Sequence, residues 1–173
     1  SVAIARNAGA SIAKASIIYF LDADVALEKD TLSNVNAIFK DKDIVCATGP
    51  IEVLEKNSSR FMKIWYKFNY SFLVKLSMFI KKPSFSGLNI AVSKKAFLKS
   101  GGFNIRMKTY EDCDFSIRAS RYGKAVYKKE LKVKASARRI AQWGFIHYIK
   151  FTALNAYNYY IKKKPLSDYK PIR

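Results

Sequence analysis

With 173 residues, 50% hydrophobic and 14% aromatic side chains, seven Gly and four Pro, the chain has the composition of one folded domain and excludes a disordered or low-complexity protein. Its 32 Lys+Arg against 13 Asp+Glu give a formal net charge of +19, of which residues 1–120 carry +7 and residues 121–173 carry +12, a field that attracts a membrane surface, a lipid phosphate or nucleic acid without choosing among them. Lys67 and Lys75 interrupt the aromatic stretch from Phe61 to Ile80 short of the roughly 20 residues that span a bilayer, and Cys46 and Cys113 have neither metal-type spacing nor a disulfide pattern, so a cytoplasmic, reducing setting is expected.

The chain opens at Ser1 with no initiator Met and no signal-peptide layout, so its numbering is expected to begin inside a longer product. Val2 to Lys14 is rich in small helix-favouring residues, suited to close packing on a sheet. Ser16 to Leu21 then reads as a buried strand, and it ends in Asp22-Ala23-Asp24. The C-terminal edge of a strand is where α/β sheets bind ligands. Two carboxylates on such a turn can hold a hard divalent cation and leave positions open for phosphate oxygens. An isolated Asp-x-Asp also reads as a plain polar turn. Here it has a counterpart in Glu111-Asp112-Cys113-Asp114, a second acidic cluster in a chain where acids are scarce.

Leu32, Val35, Ile38 and Phe39 recur at helical spacing after Asp30-Thr31, and Asp43 to Gly49 reads as a second buried strand. That strand, helix, strand rhythm predicts a parallel sheet. A long aromatic helix over 58–80, a break at Lys81-Lys82-Pro83 and a strand over 88–92 follow. Lys94 to Lys99 is a short helix stopped by Gly101-Gly102. Glu111 to Arg121 is a helix stopped by Gly123, with Glu111, Asp112 and Asp114 on its first turn, where the helix dipole alone already favours carboxylates. Ala125 to Tyr127 and Leu131 to Val133 read as short strands, and Ser136-Ala137-Arg138-Arg139 leads into an aromatic helix through Ile161. That helix ends in Lys162-Lys163-Lys164. Aromatics beside a lysine cluster suit a membrane interface, and a core-packing helix whose basic C-terminus complements the dipole is the plainer reading of the same residues.

Ala5-Arg6-Asn7-x-Gly9, Phe20-Leu21-Asp22-Ala23-Asp24, Gly87-Leu88-Asn89-x-Ala91, Gly101-Gly102-Phe103 and Glu111-Asp112-x-Asp114 occur in an order that resembles the inverting glycosyltransferases of family 2, which have the GT-A fold. The resemblance covers roughly residues 1–139, expected as the glycosyltransferase domain, with 140–173 as a basic aromatic helix and tail. It implies an α/β fold with a mixed, mainly parallel sheet flanked by helices and lacking its N-terminal part. It also implies a metal-dependent transfer of sugar from a nucleotide-diphosphate donor to an acceptor hydroxyl or lipid phosphate. Asp24 is then the ligand of Mn²⁺ or Mg²⁺, with Asp22 beside it near the ribose or donor sugar. Asp112 is the general base, and Arg6, Gly87, Asn89, Glu111, Arg138 and Arg139 fall on the donor side. Arg6 serves as well in packing against Asp22, Gly87 as a turn glycine, and the Arg138-Arg139 pair as solvated surface.

Two departures from the family stand out. The strand, helix, strand units that build most of the nucleotide-binding half in the family, at about 30 residues each, do not occur within these 173 residues, so an N-terminally incomplete domain is expected. The incomplete sheet this implies has an exposed edge and a motive for self-association. Where some relatives place a further His ligand, this chain has Ala135-Ser136, and its single histidine, His147, reads as an ordinary helix-face residue. The expected partners are a nucleotide-diphosphate sugar and an acceptor glycan or polyprenyl phosphate, with peripheral contact to an anionic membrane. Two other readings compete. A basic nucleic-acid-binding module leaves both acidic clusters unexplained, and no nucleic-acid partner is expected. A catalytically incomplete fragment with a structural or interaction role draws on the missing N-terminal half.

Overall fold

The structure, a computed structural model, describes residues 1–55 and 58–163. Lys164, the last residue of the expected lysine cluster, and the tail beyond it lie outside the described residues. The elements in chain order are α1 (Val2–Ile12), β1 (Ile17–Phe20), β2 (Val25–Leu27), α2 (Thr31–Ile38), β3 (Ile44–Thr48) and β4 (Ile51–Val53). Then come α3 (Arg60–Lys67), a π-helical turn (Phe68–Phe72), α4 (Leu73–Phe79), β5 (Ile90–Ser93), α5 (Lys94–Lys99) and α6 (Glu111–Ala119). The chain finishes with β6 (Lys124–Tyr127), β7 (Val133–Ala135), α7 (Arg138–Trp143), α8 (Phe145–Tyr157) and a second π-helical turn (Asn158–Lys162).

The strands form a four-stranded sheet in the order β1-β5-β3-β6 and a three-stranded sheet in the order β2-β7-β4. The continuous apolar run of β3 takes the centre, buried at every position. The sheet is mixed, as expected, but the mainly parallel pairing is corrected. β5 runs antiparallel to both β1 and β3, β2 runs antiparallel to β7, and β3–β6 and β4–β7 are parallel. The reason lies in where β5 starts. The helical excursion after β4 returns the chain at the C-terminal edge of β1, so Ile90 pairs with Phe20 and the strand runs backward from there.

Helices cover both faces of the larger sheet. On one, Ala3 and Ala10 of α1 are small enough to pack closely, and Phe20, Phe97, Phe103 and Phe115 interlock with ring centroids 4.3–6.2 Å apart. Phe103 and Phe115 are at most 1% exposed, and each such ring contributes about 1.5–3 kcal/mol by leaving water. On the other face, Val35 and Phe39 of α2 pack on Ile44, Ala47 and Leu131. A third cluster sits on the small sheet, where Tyr66 of α3 and Ile140 of α7 meet Ile51, Val133 and Ala135, with Leu21, Phe145 and Tyr148 against them. The segment after residue 139 therefore shares a core with the strands before it.

Local signals set the helix ends. Ser1, Ser59 and Ser93 each accept a backbone N–H from the first turn of the helix they precede. The glycine stop after α5 forms as expected, with positive φ at Gly101 and Gly102. The long aromatic helix expected over 58–80 runs from Arg60 to Phe79 through the π-helical turn, and the last helix is broken at Gly144, whose φ is 78°.

Candidate active site

The two acidic clusters, about ninety residues apart in sequence, meet at the C-terminal edge of β1. Asp22 leaves the strand there and Asp24 follows across a turn closed by Val25 N–H donating to the Asp22 carbonyl (3.2 Å). Glu111 and Asp112 arrive on the first turn of α6. Arg6, from the middle of α1, joins the clusters. Its guanidinium donates to Asp22 Oδ1 (2.8 Å) and to Glu111 Oε1 (3.0 Å), and it lies 5.2 Å from the Phe103 ring centre. The Arg6 side chain is 11% exposed and that of Glu111 13%, so the pair is largely withdrawn from water.

Withdrawal from water decides the charges. Burial opposes the Arg6 cation, yet Asp112, Asp22 and Glu111 together outweigh it and raise its affinity for the proton. Burial, and then the Asp112 charge, push Glu111 up to about 7 against the pull of Arg6. Burial and the same Asp112 charge push the Cys113 thiol well above its usual range, so it stays protonated.

Two backbone N–H groups hold the Asp112 carboxylate. Gly87 N–H donates to Oδ2 (2.7 Å) and Cys113 N–H to Oδ1 (2.8 Å). The loop carrying Gly87 is tied to the same helix by Ser116, whose Oγ accepts from Phe85 N–H (3.0 Å) and donates to the Pro83 carbonyl (2.9 Å). Gly87 has to be glycine for lack of space, not for its backbone angle. It is absent from the glycines with positive φ, and a Cβ there would fall 2.1 Å from an Arg6 guanidinium nitrogen. Tyr110, the residue before the helix, has φ 65°, a left-handed conformation uncommon for an aromatic residue. Strained backbone of this kind collects at functional sites.

The expected site residues separate into three groups. Arg6, Asp22, Gly87, Glu111 and Asp112 are brought together. Asp24 and Arg138 form a neighbouring pair, 3.5 Å apart and both well exposed, beside Ser136 N–H, which donates to the Asp24 carbonyl (3.3 Å). Arg139 is exposed on the same helix. Asn89 stands apart, fully buried. Its Oδ1 accepts from the Tyr19 hydroxyl (2.8 Å) and its Nδ2 donates to the Leu131 carbonyl (2.7 Å), so it braces β1, β5 and the segment before β7. His147 packs edge-on against Trp143 (5.6 Å).

Three contacts had no signal in the sequence. Glu55 accepts from Ser136 Oγ (2.5 Å) and Ala137 N–H (3.0 Å), seating α7 and hence Arg138. Tyr159 donates to Asp114 Oδ1 (3.1 Å), docking the C-terminal helix on α6. Asn7 exchanges two hydrogen bonds with the Phe103 backbone (2.8 and 2.9 Å). Only the last of these pairs residues within the motifs already singled out.

Among the described residues no group of three or more His, Cys, Asp or Glu side chains could cage a metal ion. Asp22 and Asp24 are the candidate ligands, and one or two carboxylates suit a cation that takes its other oxygens from a diphosphate. No described helix is long and apolar enough to cross a membrane.

Among solved structures, the chain is similar to a mannosyltransferase from Pyrobaculum calidifontis in complex with GDP-Man and Mn²⁺, with a TM-score of 0.57, 16% identity, and coverage of 87% of this chain and 43% of that one. The chain thus spans less than half the length of that protein. A looser match is mannosyl-3-phosphoglycerate synthase from Rubrobacter xylanophilus, with a TM-score of 0.42, 11% identity, and coverage of 92% of this chain and 51% of that one. No curated protein matches by sequence. The sequence model described as "Glycosyltransferase like family 2" matches residues 1–170, nearly the whole chain. On that match, with a mixed sheet flanked by helices and the ordered motifs gathered at one strand edge, the chain belongs to glycosyltransferase family 2 and has its GT-A type fold.

Proposed function

We propose that this chain supplies the catalytic edge of a metal-dependent inverting glycosyltransferase, which moves a sugar from a nucleotide-diphosphate donor to an acceptor hydroxyl or lipid phosphate. The observation that carries the reading is Arg6 bridging Asp22 to Glu111, which fixes the Asp22-Ala23-Asp24 turn relative to Asp112. A divalent cation bound at Asp24, with Asp22 adjacent, would neutralise the charge that develops on a departing diphosphate. The neighbouring mannosyltransferase was solved with Mn²⁺ and GDP-Man, but at 16% identity the sugar and base are not carried across.

The protein's own part is orientation and proton transfer. Gly87 and Cys113 N–H groups fix both Asp112 oxygens, leaving lone pairs to accept the acceptor's proton. As that proton passes to Asp112, the acceptor oxygen forms its bond to the anomeric carbon while the bond to the diphosphate oxygen breaks. One in-line displacement inverts the centre. Arg138, exposed beside Asp24, suits the diphosphate or a lipid phosphate through its guanidinium fork. Asn89 acts through position, holding β1 and β5 in register beneath the site. Membrane contact, self-association and cytoplasmic location belong to the same proposal.

Titration calorimetry with GDP and UDP, with and without Mn²⁺, tests the donor side. Metal-dependent binding that Asp24→Asn removes is expected. A folded chain that binds neither nucleotide overturns the proposal for this chain.

A further inference from the structure

The helices over the small sheet bury one side and leave the other apolar. In the run from Arg60 to Phe79, Met62, Tyr66 and Val74 turn inward, whereas Phe61, Ile64, Phe68, Phe72, Leu76 and Phe79 are exposed. These six recur every three or four residues and so line one side of the helix. Phe79 is 85% exposed, and the Phe68 and Phe72 rings stack at 5.2 Å. α8 runs alongside in the same direction. Phe145 meets Phe61 (4.6 Å) and Trp65 (5.0 Å), the Tyr148 and Tyr70 hydroxyls are 3.2 Å apart, and Tyr160 reaches Ser84. It adds Ile146, Leu154 and Ile161 to the exposed apolar surface. Soluble monomers rarely expose a stripe of large apolar side chains along a helix without using it.

Charge selects what the face meets. No Asp or Glu occurs between Glu55 and Glu111, or between Glu130 and Lys163. The first helical run and the residues just after it carry Arg60, Lys63, Lys67, Lys75, Lys81 and Lys82, with Lys75 over the Tyr127 ring of β6; the second run and the residue after it carry Lys150, Lys162 and Lys163, and Arg138 and Arg139 lie on α7 just before it. A second copy of the chain would set the basic residues of these helices against their own kind, with no carboxylate in either helical run to pair them. Nucleic acid would satisfy the lysines and stack on the Phe rings, but it would leave the aliphatic side chains of Ile64, Leu76, Ile146, Leu154 and Ile161 in water. An anionic bilayer accommodates both features, taking apolar side chains into the headgroup–acyl boundary and placing phosphates beside the lysines.

We infer that the paired helical face formed by residues 60–79 and 145–162 docks in the plane of an anionic lipid surface. This moves the principal contact from the C-terminal helix to α3 and α4, where the exposed aromatics are concentrated. The small sheet under these helices ends beside Asp24 and Arg138, so docking would place that edge near the lipid headgroups. The inference does not depend on sugar transfer, because binding is read without donor or acceptor.

The test is co-sedimentation of the 173-residue chain with vesicles of phosphatidylcholine alone, and of phosphatidylcholine with phosphatidylglycerol in equal parts. Partitioning at least roughly tenfold stronger onto the anionic vesicles is expected, weakening as salt is added. Phe68→Ser/Phe72→Ser should lose about tenfold of that partitioning while keeping its circular dichroism and urea midpoint. Ile64→Ser/Phe79→Ser, on the same stripe, gives the same readout should the first pair misfold. Equal partitioning onto both vesicle types overturns the inference, as does undiminished binding by a folded variant. A concentration-dependent dimer in sedimentation velocity that the Phe variants abolish also overturns it, and assigns the face to a second copy.

Discussion

Replacing Gly87 by Ala isolates the link between the two acidic clusters. Its φ is not positive, so Ala meets no left-handed-backbone penalty, and the folded-state effect comes from one methyl group, set against a small unfolded-state entropy gain common to both backgrounds of the cycle below. That methyl would lie 2.1 Å from a guanidinium nitrogen of Arg6, well inside contact distance, and the flexible arginine gives way before the backbone does. Arg6 then leaves Glu111, whose side chain is 13% exposed, and Asp22, whose side chain is 35% exposed. The Glu111 bond is charged and sheltered, worth about 1.5–3 kcal/mol, whereas the half-open Asp22 pair adds at most about 1 kcal/mol after solvent screening. Gly87→Ala should therefore cost about 2–4 kcal/mol in urea unfolding. The decisive arm is a double-mutant cycle with Arg6→Met, which removes the obstructed group. In that background the added methyl should cost under about 1 kcal/mol. Equal costs in both backgrounds would refute the reasoning, since the methyl would then be clashing with something other than Arg6.

The remaining predictions address chemistry and the brace beneath it. Asp24→Asn should abolish metal-dependent nucleotide binding, and Asp112→Asn should leave that binding nearly intact while removing transfer; loss of binding in a folded Asp112→Asn would sink its role as base. Glu111 has a folded-state value of about 7 against an ordinary 4.5, so the fold favours its neutral form. Its contribution is fully present below about 4.5 and lost as pH rises through about 7. Glu111→Gln should accordingly gain on wild type across that window, by up to about 3 kcal/mol; parallel stability curves from pH about 4 to 8 would exclude a raised carboxyl. Asn89→Ala strands the Tyr19 hydroxyl and the Leu131 carbonyl in the core and should cost about 2–4 kcal/mol in urea unfolding, whereas a cost under about 1 kcal/mol would mean the two groups find other partners.

What the sequence determined by itself was local. An apolar run bounded by polar turns places β1 and β3, because burial on both faces demands consecutive apolar residues. Small residues in α1, serine caps and the glycines after α5 mark helices that close packing and φ constraints allow few other ways to build. The Asp22-Ala23-Asp24 edge and the Glu111-Asp112 helix start follow from those boundaries. Tertiary structure decided the rest. β2 and β4 are three residues each, too short for alternation to register, and exist only because β7 pairs with both. The direction of β5 depended on where a long helical excursion returned the chain. Arg6 reaches Glu111 across 105 residues and Asp22 across 16, and Asn89 is a buried brace because Tyr19 and Leu131 happen to meet it there. Hydrogen-bonding partners distant in sequence leave no periodic trace in it. Only the folded arrangement selects which charged groups meet at one strand edge.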